Sequence, residues 1–159
     1  MAGRGIYVLE RSQRLELAPD AAFGFFADAR NLERITPPWL RFEVTTPGTI
    51  EIGPGTLIEY RLRLHAVPVS WRTRIEVWEP PRRFVDLQLR GPYRLWEHTH
   101  CFEPLGTRAV LMRDRVRYAL PLGPLGRLAH AAFVRRDLER IFDYRGQAVD
   151  ARLAQSRQE

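Results

Sequence analysis

The residues with the most chemistry to offer lie in GPYRLWEHTHCFEP, residues 91–104, where His98 and His100 alternate with Trp96 and Phe102 in one segment. On a strand, side chains two apart project from the same face. Two imidazoles therefore share a face with two large aromatics. Two carboxylates, Asp86 and Asp114, stand in the neighbouring alternating segments. An imidazole beside a carboxylate can move a proton, orient the polar end of a ligand, or close a buried hydrogen-bond network. His-x-His spacing can also chelate zinc, with Asp86 or Asp114 as a third ligand. That motif is short, so no metal and no other cofactor is expected. No serine-centred nucleophile motif appears. The glycines of TPGTIEIGPGT have neither the helix nor the lysine that a phosphate cradle needs, and they read as turns at a pocket rim. His65 alternates with Arg61 and Arg63, as on a solvated face, and His130 reads as a surface or helix-packing residue. The single cysteine, Cys101, excludes an internal disulfide or a multi-cysteine zinc site and reads as a small apolar strand residue.

The elements that must position these groups are mostly strands. YVLERSQRLEL reads as the first, with Leu15 and Leu17 on one face. APDAAFGFFADARNLERITPPW then changes period. Pro19 fits a first helical turn, and Ala22, Phe23 and Phe26 form its apolar stripe. Asp28 or Asn31 can cap a second short helix holding Leu32 and Ile35, ended by Pro37 and Pro38. LRFEVTTP, TLIEYRLRL, VSWRTRIEVWEP, RFVDLQLR, YRLWEHTHCFEP and AVLMRDRVRYAL all alternate between Gly/Pro turns, which predicts an antiparallel meander. After Gly123, Leu128, Ala131, Val134, Leu138, Ile141 and Ala148 recur at helical spacing, predicting one long helix to about Leu153. PLGPLGRLAHAAF before it suits either a movable lid or a helix entry packed on the core.

A three-residue loop at Gly91-Pro92-Tyr93 sets Gln88 opposite Trp96, Asp86 opposite His98 and Phe84 opposite His100, since one residue of slip would flip the face. The next hairpin brings Asp114 opposite His98 or His100. The expected inner patch is then Phe84, Asp86, Gln88, Trp96, His98, His100, Phe102, Met112, Asp114, Val116 and Tyr118. Ile58, Tyr60, Leu62, Trp71, Thr73 and Ile75 join it from earlier strands. Arg83, Val85, Leu87, Leu89, Leu95, Glu97, Thr99, Arg113, Arg115 and Arg117 are expected outside, where a homodimer contact could cover Leu87 and Leu89.

Composition narrows the function classes. The 159 residues are read as a single domain with its core over 6–150, and 45% apolar content argues against disorder. No apolar run reaches the roughly 20 residues of a membrane helix, and the first residues lack a signal-peptide stretch, so a cytoplasmic location is expected. The formal charge is +6 and all 25 basic residues are arginines. Those arginines interleave with acids, as in FVRRDLERIFDYR, which makes salt-bridged helix faces; no nucleic-acid partner is expected.

One long helix must cover the apolar face of seven strands, so the sheet has to curl around it and leave a hollow. The order of elements, with APDAAFGFFADARNLERITPPW, FVDLQLRGPYRLWEHTHCF and DRVRYALPLGPLG, resembles the SRPBCC superfamily (START-like, helix-grip) over about residues 6–150. The likeness is nearest to small bacterial ligand-binding members without an established activity. It implies an α+β helix-grip fold with an apolar cavity. The expected function is binding of a small hydrophobic ligand with a polar head: a lipid, polyketide or other aromatic or isoprenoid-like molecule. Asp86, Gln88, His98, His100 and Asp114 are its polar recognition set, and Tyr60, Trp71, Phe84, Trp96, Phe102 and Tyr118 its walls. Relatives of other classes leave two alternatives. One is a polyketide cyclase or dehydratase using His98 or His100 with Asp86 or Asp114; the other is a chaperone-activator-like module working through its outer surface.

Overall fold

The computed structural model describes residues 5–156. β1 (Ile6–Leu15) is followed by α1 (Pro19–Phe26), α2 (Ala29–Ile35) and a single 3-10 turn at Pro38–Leu40. Proline opens α1, where its missing N–H costs nothing. Asp28 caps α2 by accepting from the backbone N–H of Arg30 at 2.9 Å, as its position before the apolar pair suggested. Six further strands follow: β2 (Glu43–Val44), β3 (Leu57–Leu64), β4 (Val67–Glu79), β5 (Arg83–Arg90), β6 (Leu95–Pro104) and β7 (Val110–Ala119). They form one antiparallel seven-stranded sheet in the order β1-β7-β6-β5-β4-β3-β2, so the first strand closes against the last. With the long C-terminal helix in its grip, this is the α+β helix-grip arrangement.

The expected register holds. Phe84 pairs with His100 and Asp86 with His98. On the next ladder His100 pairs with Asp114 and Trp96 with Tyr118. Phe84, Trp96, His98, His100, Phe102, Met112, Val116 and Tyr118 are all buried, while Arg113, Arg115 and Leu89 on the opposite face are exposed. Val85 departs from that assignment. It is buried although its parity points outward, beside an irregularity between Ile75 and Val77 on the neighbouring strand.

The C-terminal helix is interrupted. α3 (Pro124–Ala129) passes through a π turn at His130–Val134 into α4 (Arg135–Ser156). A π turn carries an extra residue, and each residue rotates an α-helix by about 100°. The stripe expected from Leu128 and Ala131 therefore falls out of phase with α4. Leu128 is 67% exposed, and Leu122 and Leu125 also face solvent. The buried face of α4 is Leu138, Phe142 and Val149. What anchors the entry is His130, whose ring stacks on Tyr7 at 3.5 Å and whose Nε2 lies 2.7 Å from the Tyr118 hydroxyl. Gly126 is required here: a Cβ would sit 2.1 Å from the Pro121 carbonyl oxygen.

Candidate functional site

Two apolar clusters make most of the core around β6, β7 and α4. One contains Phe84, Phe102, Met112 and Val149; the other contains Trp96, Val116, Tyr118, Leu138 and Phe142. Between them, along the same strands and helix, run His98, His100, Asp114 and Arg145, with Asp86 beside them on β5. The two imidazoles stack at 3.7 Å between ring centres, and Phe84 stacks on the far side of His100 at 4.0 Å. Hydrogen bonds run diagonally across the ladders, not between directly opposite residues. His98 Nε2 donates to Asp114 Oδ1 and His100 Nε2 donates to Asp86 Oδ2, each at 2.7 Å. Long side chains reach a diagonal neighbour on a sheet, and the imidazoles do so here.

Arg145 is the site residue that sequence reasoning missed. Its Nη2 lies 3.8 Å from Asp114 Oδ1, and its guanidinium sits over the rings of Phe26 and Phe142. A signal was available: Arg145 follows Leu138 by seven residues and Ile141 by four, so it interrupts the helix's apolar stripe. Burial pushes the carboxyl of Asp114 upward, but Arg145 and the His98 hydrogen bond outweigh it and hold the group well below the usual range. Asp86 behaves likewise, with its hydrogen bond from His100 opposing burial most strongly, and its net shift is also downward. His100 is lowered to about 4, chiefly by burial and then by His98, against the opposing pull of Asp86. Burial and the nearby Asp86 raise the Tyr60 phenol.

This polar band borders a cavity of about 160 Å3 beneath α4. Tyr60, Trp71, Asp86, Trp96, His98 and His100 line it, as expected, together with Phe42, Thr73, Tyr93, Phe142 and Arg145. Phe84 instead borders a smaller hollow of about 40 Å3 toward α1 and α2. Leu32, Ile35, Tyr60, Asp86, His100 and Arg145 line both spaces and so form a septum between them. Four expected wall or head-group residues lie elsewhere. Gln88 folds onto the β5–β6 loop, donating to the Tyr93 carbonyl at 2.8 Å and accepting from the Tyr93 N–H at 3.2 Å. Phe102 packs into the apolar cluster with Phe84, and Tyr118 into that with Trp96, where it meets His130. Asp114 lies behind the histidines and borders a surface groove between β1 and α4, shared with Gln13, Gly146 and Arg145.

Donor atoms of Asp86, His98 and His100 lie within 4.8 Å of one another, a spacing that a metal ion could use. Both Nε2 atoms already serve carboxylates, and the Arg145 guanidinium beside Asp114 opposes a second cation there. His65, in the β3–β4 turn, is exposed and bonds Asp137 of α4 at 2.5 Å, so it ties the turn to the helix. Among the described residues no helix is long and apolar enough to cross a membrane.

Residues 8–154 match the family model described as polyketide cyclase/dehydrase and lipid transport. The chain belongs to this family. Comparison with curated protein sequences gives no match. Solved structures share the polyketide cyclase/dehydrase and lipid transport fold at low identity. A START superfamily protein from Mycobacterium smegmatis aligns with TM-score 0.71 at 11% identity, over 93% of this chain and 97% of that one. A protein from Thermus thermophilus aligns with TM-score 0.69 at 17% identity, over 94% and 99%. The Zhui aromatase/cyclase from a Streptomyces species aligns with TM-score 0.65 at 14% identity, over 90% and 93%.

Proposed function

We propose that the protein binds a small, mainly apolar molecule in the cavity under α4, with its polar end at Asp86, His98, His100 and Arg145. One observation carries this reading: a cavity of about 160 Å3 with mainly aromatic and aliphatic walls and only a few ionisable groups, Asp86, His98, His100 and Arg145 among them, in its lining. Small-molecule sites are built this way, with apolar walls for affinity and a few placed polar groups for orientation. An apolar cavity of about 150 Å3 holds a benzene-sized guest. Native mass spectrometry of protein purified from its own host tests the reading, and a co-purifying small molecule is expected. Trp96→Ala and His98→Ala should then weaken its retention at least tenfold while the circular dichroism spectrum is unchanged. Retention unaffected by both changes would reject the site.

A second reading is an enzyme of the cyclase or dehydratase type. It draws on the His100–Asp86 hydrogen bond at the cavity wall and on the aromatase/cyclase among the similar structures. A desolvated imidazole held by a carboxylate is suited to take a proton from an enolisable ligand. Turnover of a candidate ligand, abolished by Asp86→Asn and by His100→Gln, would establish this reading over simple binding.

A further inference from the structure

The segment PLGPLGRLAHAAFV, residues 121–134, carries one charged side chain, Arg127, and turns its large apolar ones outward. Leu122 is 75% exposed, Leu125 and Leu128 are each 67% exposed, and Phe133 is 47% exposed. The buried residue of α3 is Gly126, so this helix presents its leucines to solvent and its smallest residue to the core. A helix packed for the fold alone has the opposite arrangement. Leu125 and Leu128 are three apart and share a face. The π turn takes up one extra residue, which brings Phe133, five after Leu128, round to that face. Leu122 precedes them in the left-handed region at φ 69°, a conformation that bulky residues rarely hold. Phe133 meets the His65 ring at 5.6 Å, and the turn beyond His65 adds the exposed Ala66 and Val67. Contiguous exposed apolar surface of this kind marks an interaction site.

Arginines accompany this apolar surface. From residue 121 to 142 the chain has four, Arg127, Arg135, Arg136 and Arg140, against two acids. Both acids are already engaged, Asp137 with His65 and Glu139 with Arg135. We propose that the face formed by α3 and the π turn docks on a bilayer rich in anionic phospholipid. Leu122, Leu125, Leu128 and Phe133 enter the acyl boundary, and the arginines meet the phosphates. Apolar insertion and charge attraction add at such interfaces. With six residues, α3 is far too short to span a bilayer, so it lies in the headgroup plane. Trp39, 48% exposed with the Arg140 guanidinium 5.1 Å from its ring centre, shares a surface hollow with His65 and Ala66. It supplies the aromatic ring favoured at membrane–water boundaries. A second copy of the chain is a poorer occupant, because a twofold contact through this face brings two arginine-rich rims together. An acidic protein needs a pocket matched to each leucine, whereas a bilayer accepts any protruding apolar side chain. Docking of this kind needs no guest in the cavity under α4.

Vesicle flotation with the full chain is the test. Binding to phosphatidylcholine vesicles containing one-third phosphatidylglycerol should be at least tenfold tighter than to phosphatidylcholine alone, and should weaken as salt rises. Leu122→Ser, Leu125→Ser and Leu128→Ser combined should reduce binding to the anionic vesicles at least tenfold. The circular dichroism spectrum and urea midpoint should not change, because these side chains are exposed. Arg127→Gln with Arg136→Gln should lower binding and flatten its salt dependence. Arg113→Gln with Arg115→Gln removes the same charge from the outer face of β7 and should leave binding within twofold. Equal losses from the two arginine pairs would overturn the α3 face in favour of unspecific charge attraction. Parent-level binding by the triple serine variant would reject that face as well. No binding to either vesicle would overturn the membrane. A dimer in sedimentation velocity that the triple serine variant dissolves would assign the face to a second copy instead. None of these outcomes bears on whether the cavity holds a guest, which native mass spectrometry reads separately.

Discussion

Arg145 changes what the histidines and aspartates can do. Without it, Asp86 and Asp114 would place two negative charges in the middle of an apolar core, where unpaired ions cost several kcal/mol. With it, one of those charges is balanced from the helix side. Arg145→Met is therefore expected to lower unfolding free energy by about 3 kcal/mol, read from urea denaturation. Asp114→Asn added to that variant should restore part of the loss, because the charge left uncompensated is gone. A strictly additive double-mutant cycle would show that the two groups do not communicate. The strand partners of this cluster were legible in the sequence, since a period of two and a short hairpin loop fix which side chains share a face. Arg145 was not, because a long cationic side chain on a helix ordinarily reaches solvent, and FVRRDLERIFDYR, which it ends, reads as a salt-bridged helix face.

The helical stripe expected from Leu128 and Ala131 onward failed at the scale of the element. The π turn at His130–Val134 shifts the phase between α3 and α4, so residues before and after it cannot be placed on one continuous face. Helical periodicity does not reveal such an inserted residue. The β5–β6 hairpin shows a similar limit. Gln88 has the parity of an inward residue, yet its amide closes the loop by holding both backbone groups of Tyr93. Gly91 makes room for that fold, since a Cβ there would lie 2.5 Å from Gln88 Oε1. Gln88→Ala should cost about 1 kcal/mol of stability with ligand affinity unchanged. Gly91→Ala should cost a similar amount, and the two together less than their sum; a loss of affinity in Gln88→Ala would return this residue to the binding wall. Gly126→Ala should displace α3, because the clash is with backbone and not with a flexible side-chain tip. A Tm unchanged from the parent would contradict the tight approach of α3 to Pro121.

Across the molecule, the titratable band makes stability depend on pH with one sign. His100 has its folded value depressed to about 4 from an ordinary 6.5, so below pH 6.5 the unfolded chain binds a proton that the folded chain refuses. Stability is fully present above that range and falls as pH drops toward 4. Because Asp86 and Asp114 are also depressed, their contribution is present above the ordinary carboxylate range and is lost as pH falls through their folded values. The His100 contribution amounts to about 3 kcal/mol between pH 7 and 4, and urea midpoints at those two pH values measure it. Equal midpoints would mean the imidazole is charged inside the fold. One more consequence follows from where Arg145 and Asp114 stand. The guanidinium borders the cavity on one side and the β1–α4 groove on the other, and Asp114 opens only onto the groove. A guest under the helix would thus sit one residue away from the charges that line the groove. Changes of charge on Gln13, Asp143 or Asp150 at the rim of that groove should tune its grip without ever touching it.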